Sequence, residues 1–114
     1  MDNYHFSETP DPDAVAFGEK LANLVADKLQ TGAILSYSHR DYCGMGMKVN
    51  ENLKFMYGEV YDGDFNFPRI FETRNLFVTW LSAQSTASLA RLDEEEFYKE
   101  NQVITKKRLL DFIS

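Results

Sequence analysis

The sequence predicts an α+β fold: an antiparallel four-stranded meander packed against an N-terminal helix and C-terminal helices. Three observations carry this expectation. Apolar residues recur at helical spacing between Phe17 and Leu29. The pattern then switches to alternation from about residue 33 to residue 72, broken by short turn signals. Helical spacing returns from Thr73 onward. A change of period from 3.6 to 2 and back marks a sheet flanked by helices in sequence order.

Residues 1–10 read as an irregular lead-in. Asp11-Pro12-Asp13 has the chemistry of a helix start, with an Asx cap, proline at the first helical position and acids facing the helix dipole. Phe17, Leu21, Leu24, Val25 and Leu29 form the apolar stripe, with Glu19, Lys20, Asp27 and Lys28 on the wet side. Gly32 supplies the stop.

Ala33 to Ser38 reads as the first strand. Met45, Met47 and Val49 alternate with Gly44, Gly46 and Lys48 along a second. Asn50-Glu51-Asn52 is a turn. Leu53, Phe55, Tyr57 and Tyr61 mark a third strand, and Asp62-Gly63 is a hairpin signal. Phe65 and Phe67 open a fourth strand that ends near Glu72, with Pro68 requiring an edge or a bulge.

Thr73 is the expected N-cap of a helix whose face is Leu76, Phe77, Trp80 and Leu81. Ser85-Thr86 either breaks this helix or caps a further turn, with Leu89 and Leu92 pointing inward. Asp93-Glu94-Glu95-Glu96 would start a helical turn holding Phe97 and Tyr98. Thr105 caps a last helix, Lys106 to Ile113, with Leu109, Leu110 and Ile113 as its stripe. No repeat, low-complexity tract or linker interrupts the chain, so residues 1–114 read as one α+β domain.

Composition limits the function. The 114 residues are 44% hydrophobic, 14% aromatic and 26% charged, globular values with an aromatic excess. No apolar run reaches the roughly 18 residues of a membrane span. The first residues lack the basic start and apolar stretch of a secretory signal, which points to the cytoplasm. Cys43 is the single cysteine, so an internal disulfide and zinc sites built on two or more thiolates are excluded. The formal net charge is -6. That sign disfavours nucleic acid and anionic membranes as partners and suits a basic protein. Residues 1–32 carry six acids against two bases, residues 33–72 six against four, and residues 73–114 are balanced. A plain solubility charge accounts for such an excess in most small proteins.

Two constellations could carry function. Around the third hairpin, Glu59, Tyr61, Asp62 and Asp64 combine carboxylates with a tyrosine ring, and Tyr57 lies close by. Tyrosine offers large contact area at low entropic cost, and acids select a basic partner. The bland alternative is a solvated turn. Paired carboxylates also hydrolyse glycosides, but only at set separations inside a cleft, and hairpin tips are exposed. Calcium-loop spacing is absent. Asp93, Glu94, Glu95 and Glu96 form a second acidic surface, which is also what a helix N-terminus favours.

The rival constellation is His39, Asp41, Tyr42 and Cys43. His39, Asp41 and Cys43 occupy alternate positions, so an extended backbone would place a thiol, an imidazole and a carboxylate on one side. That set suits a nucleophile with its base, or a mixed-ligand metal. Against both, alternate residues on a strand lie about 7 Å apart, too far for a direct triad. A zinc ion would also need a fourth ligand. The simpler reading is a polar loop beside a buried thiol. Gly44-Met45-Gly46 lacks the third glycine and following helix of a dinucleotide loop, so no cofactor is expected. Lys106-Lys107-Arg108 is too small a basic cluster for nucleic acid.

The stretch Ile70-Phe71-Glu72-Thr73-Arg74-Asn75-Leu76-Phe77-Val78-Thr79-Trp80-Leu81-Ser82-Ala83-Gln84-Ser85, with Asn101 to Thr105, Arg108-Leu109 and His39 to Gly44, resembles small bacterial immunity proteins of polymorphic and contact-dependent toxin systems. The resemblance spans about half the chain and transfers no catalytic residue. It implies a cytoplasmic, non-enzymatic protein that binds a cognate toxin domain and blocks it. Three expectations follow: a protein-binding domain for a basic partner, a small enzyme or ligand- or metal-binding domain using His39, Asp41 and Cys43, and a homodimer that consumes the exposed aromatics.

Overall fold

A computed structural model describes residues 12–38, 43–61, 64–89 and 104–114. The elements run α1 (Glu19–Gln30), β1 (Leu35–Ser38), β2 (Cys43–Val49), β3 (Phe55–Tyr61), β4 (Asp64–Phe71), α2 (Arg74–Ala83) and α3 (Lys106–Ile113). The four strands form one antiparallel sheet in the order β1-β2-β3-β4, the meander expected from the alternation. The α+β layering is therefore as the sequence implies.

The start of α1 differs from expectation. Pro12–Ala14 is a single 3-10 turn, and α1 begins only after Gly18, whose φ is 91°. Tertiary bonds override the local helix signal here. The Phe17 and Gly18 amides donate to the carbonyls of Gln84 (2.8 Å) and Ser82 (3.1 Å), and the Ala87 amide donates to the Asp13 carbonyl (2.7 Å). The segment from Asp13 to Gly18 is thus tied to the end of α2 and the turn after it, and Phe17 is buried from outside the helix; the expected irregular lead-in, residues 1–10, lies outside the described residues. Leu21, Ala22, Val25, Ala26 and Leu29 form the inner face of α1, whereas Leu24 stands exposed. The Gly32 amide closes the helix on the Leu29 carbonyl at 3.0 Å.

The core lies between these helices and one face of the sheet. Leu35, Met47, Phe55 and Phe71 come from the four strands in turn and are buried together with Phe77, Val78 and Leu81 of α2 and Leu109 of α3. Phe55 stacks on Phe77 with centroids 4.7 Å apart, and Phe71 meets Phe77 edge-on at 5.4 Å. Ring pairs at these separations add to their area burial. Leu76 and Leu110, expected inside, are exposed because their helices dock through Phe77 and Leu109 instead.

Thr73 and Thr105 cap α2 and α3 as expected, their hydroxyl oxygens accepting from the Leu76 and Arg108 amides, each at 3.2 Å. α2 ends at Ala83 with Gln84 as its cap, and Ser85 starts a further turn. Its hydroxyl accepts from the Ser88 amide (3.0 Å), and the Ser88 hydroxyl accepts from the Ser85 amide (2.7 Å). That reciprocal pairing satisfies a buried serine. Arg74 clamps α2 to α1: its guanidinium meets Asp27 (2.7 Å), the Gln30 side chain (2.6 Å) and both the carbonyl and side chain of Asn23 (3.2 and 3.1 Å).

The β2–β3 turn begins at Asn50, whose side chain accepts from the Asn52 and Lys54 amides. Leu53, expected on β3, sits in this turn at φ 65° and is 79% exposed. Pro68 is on edge strand β4, within an irregularity of the ladder. Tyr57 pairs with Arg69 and Glu59 with Asn66, so Phe67 and Pro68 together oppose Gly58. A Cβ at Gly58 would lie 2.8 Å from the Pro68 Cα, so glycine is what lets the two strands approach there. Among the described residues, no helix is long and apolar enough to cross a membrane.

Candidate functional site

The sheet register sorts alternate strand positions into cross-strand rows. Val49, Phe55 and Phe71 form the first, and Leu35, Met47, Tyr57 and Arg69 the second. Tyr37, Met45, Glu59 and Asn66 form the third, and Cys43, Tyr61 and Asp64 the last. Successive rows are about 7 Å apart, two residues along a strand. The first two rows carry core residues. The last two carry Glu59, Tyr61 and Asp64, three positions of the expected acidic and aromatic surface.

The alternation that builds the core also assembles this candidate site. Glu59 and Tyr61 are two positions apart on β3, and Asp64 is the direct partner of Tyr61. The three backbone positions therefore lie together at one end of the sheet. Asp64 and Asn66 are exposed, and Glu59 is half-buried and partnered. Two carboxylates and an amide lie within neighbouring rows and supply hydrogen-bond acceptors. Asp62 and the whole Asp93–Glu96 run lie outside the described residues.

The rival cluster is placed only in part. His39, Asp41 and Tyr42 lie outside the described residues. Cys43 opens β2, and its position is the direct partner of Tyr61. The register thus sets the backbone of the one thiol in the same row as the acidic tip, a proximity that sequence spacing does not reveal. Among the described residues, no group of three His, Cys, Asp or Glu side chains could hold a metal ion. Gly46 has a packing role: a Cβ there would approach the Leu35 carbonyl oxygen to 2.7 Å and the Val60 side chain to 2.8 Å.

One residue escaped the sequence reading. Arg69 stands at the boundary between the core rows and the tip rows. Its guanidinium lies 5.2 Å from the Phe71 ring centre and 5.6 Å from that of Trp80. Trp80 in turn packs on Tyr57 (4.9 Å) and Phe71 (5.0 Å). The signal was available, since Arg69 and Phe71 are two apart on a strand and must share a face. What alternation alone could not supply is the arrival of Trp80 from α2.

No protein family, characterised protein or solved structure matches this chain.

Proposed function

We propose that this chain is a non-enzymatic protein-binding domain of the immunity-protein kind, which neutralises a basic toxin domain by docking on it. Glu59, Tyr61, Asp62 and Asp64 form the docking face, and Asp93 to Glu96 add a second acidic surface. The partner is a protein rather than nucleic acid or membrane, in keeping with a net charge of -6. The observation that supports this reading most is the register, in which the Tyr61 position pairs with Asp64 and Glu59 lies one row away. The tip carboxylates steer a cationic partner inward, and tyrosine supplies contact area once it arrives. The site lies in the cytoplasm, where a toxin of this class acts.

Affinity capture from the native host, followed by mass spectrometry, identifies candidate partners for purification. Binding of a purified candidate to wild type is then compared with the Asp62→Lys/Asp64→Lys double variant, with Cys43→Ser as a reference. The double reversal is expected to lose most of the binding at low salt, and Cys43→Ser to retain it. Full binding by the double reversal, or loss on replacing Cys43, overturns the reading in favour of the thiol-centred enzyme or ligand site.

A further inference from the structure

We propose that Arg69, held against Trp80 and Phe71, is a preformed anchor for a carboxylate side chain presented by a protein partner beside an aliphatic residue. This inference goes beyond the acidic tip and stands independently of it.

Arg69 has donors without acceptors among the described residues. Its guanidinium has five N–H donors in a fixed fork that matches a carboxylate. Among the described residues, its contacts are the faces of two rings, with neither an ion pair nor a hydrogen bond. Acids are not scarce in a chain of net charge -6. Those nearest it among the described residues are already engaged. Glu72 is taken by Lys54, and Glu59, one row along, is engaged with another group. α2, the helix beside this site, has no acidic residue in its sequence RNLFVTWLSA. Arg69 is exposed and Trp80 half-buried, so the cation faces solvent with one side covered by rings.

Stacking fixes a flexible side chain before any partner arrives, which lowers the ordering cost of binding. Leu76 lies one helical turn before Trp80 and is more than half exposed. Arg69, Trp80 and Leu76 thus combine a cation, an indole and an aliphatic side chain on adjoining elements. Tryptophan and arginine are the residue types that dominate binding hot spots. The occupant that complements this patch is a glutamate or aspartate with an apolar neighbour. The carboxylate meets the fork in bidentate fashion, and the apolar group covers Leu76 and the exposed part of the indole.

Trp80 is the chain's one tryptophan, so its emission reports directly on the site. The test titrates the full chain with N-acetyl-Leu-Glu-Leu-amide and, separately, with its Leu-Gln-Leu isostere. The glutamate peptide is expected to change Trp80 emission saturably, with an affinity about tenfold above that of the glutamine peptide. The change should weaken with salt. Arg69→Lys keeps the charge but not the fork and should bind the glutamate peptide several-fold more weakly. Arg69→Gln should abolish the preference for glutamate. An equal response to both peptides, no response in wild type, or a preference that survives Arg69→Gln overturns the proposal. The wild-type comparison of the two peptides decides the matter without relying on any variant's folding.

Discussion

The two halves of the β2–β3–β4 sheet obey one alternation rule and yet carry opposite chemistry. In the half under the helices, Met47, Phe55 and Phe71 are sealed by Phe77 and Leu81. In the half towards the last hairpin, the rows carry Glu59, Asn66 and Asp64. Along β2 and β3 strand geometry does not distinguish these halves, because rows recur every second residue in both; in β4 the extra residue at Phe67–Pro68 keeps the rows aligned across the boundary. What distinguishes them is the reach of α2, which ends its aromatic contacts with the sheet at the Tyr57–Arg69 row. Core and proposed docking surface are therefore neighbouring parts of one sheet, divided by where a helix stops.

The helix-covered half depends most on the ring at its centre. Phe77→Ala removes the ring that meets both Phe55 and Phe71, and should cost about 3–5 kcal/mol of stability. A urea titration would show this as a lowered midpoint at unchanged slope. A loss under about 1 kcal/mol would mean that the helix-covered half is not the source of stability.

Gly58 lies along β3 between the two halves, where the ladder is irregular. Gly58→Ala should cost about 1–3 kcal/mol, because the added methyl meets Pro68 backbone rather than a side chain that can swing aside. Thermal unfolding reads this out. An unchanged melting temperature would show that β4 shifts freely, and that the tip rows are not held in register with the core.

At the tip the expected effect on stability is smallest. Asp64 is exposed at the end of its strand, so Asp64→Lys should alter unfolding free energy by no more than about 0.5 kcal/mol. A loss several times larger would make this end structural and remove the division between the halves.

The legibility of the sequence follows the same division. The meander was readable because Met45, Met47 and Val49, and then Phe55 and Tyr57, alternate cleanly, and because Thr73 and Thr105 precede helical stripes. The α1 start was not, since the amides of Phe17 and Gly18 find their acceptors at Gln84 and Ser82, far along the chain. The Arg74 clamp on Asp27 and Gln30 was hidden for the same reason. Leu53 read as strand because it is apolar and in phase, but the Asn50 side chain captures the local amides and turns the backbone there. At the candidate site, the composition of the tip was legible. The pairing of Tyr61 with both Asp64 and Cys43 needed the register, which depends on three strands at once.

The proposed function requires the acidic end of the sheet to draw in its partner by charge. The most direct test is the association rate of the purified partner with wild type and with Asp62→Lys/Asp64→Lys, measured by stopped flow across ionic strength. Wild type should associate at least about tenfold faster at low salt, with the two rates converging as salt screens the field. Equal rates at every salt concentration would contradict it.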